Sequence, residues 1–398
     1  MRLRDFRRAG HWPSLVAALI HFDVSFLCWV LLGSLGAYIG DDLGLSASGK
    51  GLLVAVPLLS AAGFRVLLGV LGDRLGPKRV GTVSMALVAL PLVWGWLGAR
   101  GYGSLLAVGL LLGVAGASFA ISIPLASRWY PPRHQGLAMG IAGAGNSGTV
   151  VTTLAAPRLA EAHGWHAVMG MALVPVGLAL IAFTLLAKEP PARPRALTAR
   201  APRGVLAEPD AWRLCGMYAV TFGGFVGLAS FLPIYFHDQY GLSKVSAATV
   251  AAVGAGLGSA LRPLGGHVAD RFGGTRVLTA VYGVAAALLL FASGLPPVGA
   301  VSVAFVLCQA TLGAGNGAVF QLVGLRYGER VGAVTGVVGA AGGLGGFLLP
   351  TLLGAARDEA GSYGAGLALI SAAAAAALIA TLVVQGAWRA RWAAEARI

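Results

Sequence analysis

Three kinds of residue in this chain could carry chemistry: a glycine cluster, two lone arginines and one lone aspartate, all set in apolar surroundings. The stretch GIAGAGNSGTVV, residues 140–151, places Gly143, Gly145 and Gly148 in a G-x-G-x-x-G spacing. A dinucleotide-binding loop of that spacing follows a buried strand, opens a helix and has an acidic residue about twenty positions later. Here the glycines lie inside an apolar run from Gly136 to Pro157, behind a basic loop and with no strand signal. They are not a phosphate loop. Small residues along an apolar helix let a neighbouring backbone approach closely, and that is the role expected for Gly143, Gly145 and Gly148, and for Gly339, Gly342 and Gly343 in a second glycine run. Asn146 is the one polar amide in the first run.

Arg65, in SAAGFRVLLGVLGD, and Arg262, in GSALRPLGGHVAD, each precede by eight residues an aspartate that marks a helix end. At 1.5 Å per residue both are about 12 Å deep in a hydrocarbon core about 30 Å thick. Snorkelling cannot carry them to water. A charge at that depth is costly and usually marks a transport path; the competing role is a structural arginine paired with carbonyls or a carboxylate. If the two face one volume, two guanidinium forks meet there, and a small anion is the fitting guest. A planar oxyanion such as nitrate or nitrite can accept paired hydrogen bonds from each fork. Asp23, about ten residues into the first apolar run, is the remaining ionisable group at depth. It either couples protons to the anion or serves as a structural partner for an arginine or a helix carbonyl. His21 and His267 read as structural.

The elements that position these residues follow from composition. Hydrophobic residues make up 57% of the 398, charged residues 11%, and mean hydropathy is +0.79. That is an integral, all-α membrane protein. Twelve apolar runs are long enough to span, near 13–38, 50–72, 80–98, 104–126, 136–157, 166–187, 213–236, 246–269, 277–294, 298–321, 332–353 and 364–386. With the N-terminus inside, 22 Lys and Arg fall on the inner side and 5 on the outer. Both termini are therefore expected in the cytoplasm, in a multi-pass protein of the cytoplasmic membrane. The net charge of +14 belongs to topology and not to nucleic-acid binding. Cys28, Cys215 and Cys308 sit singly, so neither a disulfide framework nor a thiolate metal site is implied. No metal, cofactor or catalytic constellation is expected.

The chain also repeats itself. At an offset of 197, Arg65, Gly69, Asp73, Arg74, Gly76, Arg79 and Val80 map onto Arg262, Gly266, Asp270, Arg271, Gly273, Arg276 and Val277; at 196, Gly140 and Gly143 map onto Gly336 and Gly339. Two six-helix halves, 1–187 and 213–398, are joined by a cytoplasmic linker, 188–212, that contains KEPPARPRALTARAPRG. Parallel repeats with a site between them near the midplane resemble the major facilitator architecture, and GVLGDRLGPKRV is similar to that superfamily's loop between helices 2 and 3. Asp73, Arg74, Asp270 and Arg271 are then expected at a cytoplasmic gate.

Within that superfamily, AMGIAGAGNSGTVV and GVVGAAGGLGGFLLP resemble the two signature stretches of the nitrate/nitrite porter family. FDVSFLCWVLLGSLG, ASFAISIPLASRWYP and GAGNGAVFQLV are similar to its helices 1, 4 and 10. The resemblance implies a carrier that moves nitrate, nitrite or both by alternating access, as a proton symporter or an anion exchanger, and that works as a monomer. It assigns Arg65 and Arg262 to the anion clamp, Tyr218 in YAVTF to a hydroxyl donor, Phe119 and Phe222 to aromatic walls and Asn146 to an amide donor. Asn316 is a second polar candidate, for interhelical hydrogen bonding or gating. A monocarboxylate carrier would keep both arginines; a membrane enzyme or sensor would need reactive residues or a soluble domain, and the sequence offers neither.

Overall fold

The computed structural model describes residues 3–190, 204, 207–327 and 331–391. The expected linker falls mostly on residues 191–203 and 205–206, outside the described residues, as do the extreme termini. A short helix, Leu3–Arg8, precedes twelve long ones. These are α1 (Trp12–Asp42, interrupted at Val30), α2 (Ala47–Leu75), α3 (Pro77–Leu97), α4 (Tyr102–Ser127, with a turn at Ala117 and Ser118), α5 (Pro132–His163) and α6 (Trp165–Leu186) in the first half. The second half holds α7 (Pro209–Tyr240), α8 (Lys244–Phe272), α9 (Gly274–Ser293), α10 (Val298–Tyr327), α11 (Val331–Ala360) and α12 (Gly364–Arg391). The helix α7 thus starts four residues before its expected boundary. Eleven of the twelve are long and apolar enough to cross a membrane. The exception is α5, which a 3-10 turn at Ala144–Asn146 divides into pieces of 12 and 17 residues.

The repeat is visible in how helices begin and end. Ser46 caps α2 by accepting from the Gly49 N–H at 3.2 Å, and Ser243, 197 residues on, caps α8 by accepting from Ser246 at the same distance. At their other ends α2 and α8 stop at Gly76 and Gly273, whose φ of 95° and 97° an L side chain rarely adopts. Each glycine turns the chain directly into the next helix, so α2/α3 and α8/α9 are equivalent hairpins.

The halves meet chiefly along three helix pairs. Gly33 of α1 faces Ser230 of α7, Gly343 of α11 faces Leu58 and Ala62 of α2, and Gly256 of α8 faces Val150 of α5. Outward, Leu178, Leu185 and Val383 are 65, 77 and 71% exposed, a surface that suits hydrocarbon and not water. This is a multi-pass membrane protein. His21 is wholly buried in the first half, within hydrogen-bonding distance of Ser122 Oγ (2.9 Å) and Gly81 O (3.3 Å). The three cysteines are free and buried.

On the face opposite the start of α1, charged groups tie the halves together. Lys50 of α2 reaches Asp238 of α7 at 3.0 Å and Asp41 of α1 at 3.4 Å. Asp41 also meets Lys244 of α8 at 2.6 Å and His237 of α7 at 3.4 Å. Asp358 of α11 accepts from the N–H groups of Ala47 and Ser48 that open α2. A carboxylate there complements the positive end of the helix dipole.

Candidate functional site

Arg65 is 2% exposed on α2. Its Nε donates to Gly116 O of α4 at 3.0 Å, and its Nη1 donates across the halves to Gly339 O of α11 at 2.6 Å. The guanidinium carbon lies 5.2 Å from the Trp29 ring and 5.0 Å from that of Phe222. Trp29 is itself held by its indole N–H, which donates to Pro57 O at 2.8 Å. These are cation–π distances, each worth about 1–2 kcal/mol in a desolvated site.

Arg262, half-buried on α8, has a different shell. Its Nη2 donates to the Tyr218 hydroxyl at 3.3 Å, and its guanidinium carbon lies 5.9 Å from Phe119 and 5.6 Å from Phe320. Tyr218 stacks on Phe222 at 5.0 Å and meets Phe320 edge-on at 5.0 Å. Both arginines, Tyr218, Phe119, Phe222 and Asn146 line one cavity together with Phe22 and Phe26. Its empty volume, about 170 Å³, is dispersed between side chains and not gathered into one void.

Neither arginine has a described carboxylate within ion-pair distance. Removing a charge from water costs several kcal/mol, which a carbonyl and a ring repay only in part. Two like charges on one cavity add mutual repulsion. An anion between them offsets both terms. Asn146 is 2% exposed, sits at the end of the 3-10 turn and has an Oδ1 without a protein hydrogen-bond partner.

Phe22 and Phe26, Trp29 and Phe320 were not singled out from the sequence. A signal for the first two exists: Phe22 and Phe26 stand 196 residues before Tyr218 and Phe222, so the aromatic pair is duplicated in register. Phe320 has no such marker.

Asp23 does not line the cavity. Its Oδ1 accepts from Ser147 Oγ at 2.5 Å, joining α1 to α5. Of the glycines, Gly145 and Gly148 lie against α1, where added Cβ atoms would strike Asp23 and its neighbours. Gly342 lies under Tyr218 and Phe222, Gly343 against α2, and Gly339 supplies the carbonyl to Arg65. Gly143 differs: nothing lies within 4 Å of where its Cβ would be, so close packing does not demand glycine there. Asp73 pairs with Arg128, within the first half, while Arg74, Asp270 and Arg271 are exposed at the ends of α2 and α8. His267 is exposed near the same end of α8. Asn316 is 1% exposed on α10, and neither end of its amide has a protein hydrogen-bond partner.

Residues 17–350 match the profile of the Major Facilitator Superfamily. The chain is 37% identical over 376 residues to a probable nitrate/nitrite transporter, NarK2, of Mycobacterium tuberculosis, covering 92% of this chain and 94% of that one. It is 32% identical over 366 residues to the nitrite extrusion protein of Bacillus subtilis, covering 92% of each. In fold it is similar to the crystal structure of a bacterial homologue of the human lysosomal transporter Spinster in an inward-facing, occupied conformation, with a TM-score of 0.70, 18% identity, and 96% and 97% of the two chains covered.

Proposed function

Because the chain belongs to the nitrate/nitrite porter family of the major facilitator superfamily, we propose that it carries nitrate, and nitrite as the related ion, across the cytoplasmic membrane. The observation that supports this reading is a pair of guanidiniums, one from each half, lining a single aromatic-walled cavity with no described carboxylate to neutralise them. Arg65 and Arg262 hold the oxygen atoms of the anion; Tyr218 and Asn146 add a hydroxyl and an amide; Phe119 and Phe222 wall the planar ion and exclude water. With the site empty, cation repulsion resists closure. A bound anion removes that resistance, so the halves rock together only when loaded. In this reading the ties around Asp41 and Lys50 lie on the extracellular side, and exchange in the state they hold runs through the cytoplasmic side. Both termini are cytoplasmic in this reading. The chain transports without a chemical step, as a monomer. Asp23 is the group that couples protons if the carrier is a symporter; an exchanger needs only the arginines.

Reconstituted protein in liposomes tests this directly. Nitrate uptake should be saturable, should be driven by internal nitrite or by a pH gradient, and should persist in excess lactate. Lactate that competes as well as nitrate would replace the reading with a monocarboxylate carrier, and driving-force dependence separates exchange from symport.

A further inference from the structure

Corresponding helices α5 and α11 both pass the cavity, yet only α5 is broken there. Its 3-10 turn, Ala144–Asn146, ends on the amide that lines the cavity, and the next residue is Ser147. Ser147 Oγ has one proton and two acceptors in reach: Asp23 Oδ1 at 2.5 Å and Ala144 O, inside the turn, at 2.9 Å. A carboxylate is the stronger acceptor, so an ionised Asp23 takes that proton. The Gly148 backbone, at the start of the helix that follows the turn, lies against the Asp23 main chain. Asp23 therefore binds the residue that comes directly after Asn146 and is packed against the next.

The backbones are pressed together at this point. A Cβ on Gly145 would lie 2.8 Å from Asp23 N and from Phe22 Cβ, and one on Gly148 would collide with Asp23 O. The second half keeps the close approach, since a Cβ on Gly345 would strike Ala219 O. It lacks the polar latch: Ala219 stands where the first half has Asp23, and Gly343 and Leu344, the two residues before Gly345, stand where it has Asn146 and Ser147. There α11 runs unbroken. Ordinary helix packing accounts for the shared glycines and leaves the carboxylate, the hydroxyl and the broken turn to be explained together.

We infer that Asp23 and Ser147 are positioning residues for the anion site, a latch between α1 and α5 that holds the 3-10 turn and so aims the Asn146 amide into the cavity. This rests on the anion-carrier reading and adds what sets its amide arm. Phe22, next to Asp23, lines the same cavity, so the latch fixes one wall and one donor at once.

Two measurements on the intact, purified protein test it. The first needs no substrate. Hydrogen exchange across residues 143–150 should rise in Ser147→Ala and in Asp23→Asn, while residues 339–346 of α11 stay as in the wild type. The second is nitrate affinity, expected to fall about tenfold in Ser147→Ala, the scale of one charge-assisted hydrogen bond, and to return with Ser147→Thr, which keeps the hydroxyl. In an Asn146→Ala background, Ser147→Ala should cost nothing further, because the latch acts through the amide. Unchanged exchange in α5, or losses that simply add in the double variant, would overturn the inference. Should the wild type bind no nitrate, the carrier reading fails, and the exchange data still judge the latch.

Discussion

Arg65 in the first half donates to two carbonyls and lies between two rings, whereas Arg262 in the second half is half-buried and keeps one long hydrogen bond to Tyr218. The same contrast runs through α5 and α11, one broken and bearing Asn146 and Ser147, the other continuous and bearing Gly343 and Leu344. Duplication supplied the hairpins, the caps, the aromatic pairs and the arginines. The remaining polar groups were added unequally: an amide, a hydroxyl and a carboxylate on one side, a phenol on the other. The first half is thus a fixed socket and the second a looser counterpart, which suits a carrier that must release what it grips.

The largest test of that contrast is replacement of each arginine by lysine. Nitrate uptake should fall at least about 100-fold in both Arg65→Lys and Arg262→Lys, since an ammonium cannot reproduce the fork. Only Arg65→Lys should also lower the thermal unfolding midpoint in detergent, because only Arg65 ties neighbouring backbones. Equal melting shifts would break the comparison. A smaller effect is expected from alanine at the two pressed glycines. Gly148→Ala and Gly345→Ala should each destabilise by about 1–3 kcal/mol in denaturation, from overpacking against a backbone carbonyl. Gly148→Ala should in addition weaken nitrate binding, and Gly143→Ala should stay within about 0.5 kcal/mol of the wild type. Smallest is Lys50→Ala, which loosens the seal opposite the start of α1. Turnover should change by no more than about threefold, because the pair of Lys244 with Asp41 still joins the halves there. A cysteine placed beneath the seal, Ser230→Cys, should be alkylated faster in that background; an unchanged rate would remove the seal from the account.

Much of this was legible in the residues themselves. Twelve spans stand out because lipid demands about twenty apolar residues each, and Arg65 and Arg262 stand out because charge in an apolar run has no neutral reading. Asn146 was visible as an uncharged polar amide in such a run. Phe320 and Trp29 were not, since an aromatic ring in an apolar helix carries no contrast and only tertiary placement turns it into a cation's neighbour. The break in α5 was equally silent, because a glycine-rich run is compatible with a straight helix, as α11 shows. Lys50 and Lys244 were legible only as outer-side positive charges; their carboxylate partners, Asp238 and Asp41, lie in the opposite half and meet them only in the fold.

The bond from Arg65 Nη1 to the Gly339 carbonyl joins the two lobes of the molecule. In the proposed mechanism the same fork is both receptor and rivet. Nη1 carries two hydrogens, so a guest can take the second and leave the rivet in place, while a guest that draws the guanidinium away loosens the join. Cargo recognition and the fastening of the two lobes then meet on a single guanidinium, with no relay between them.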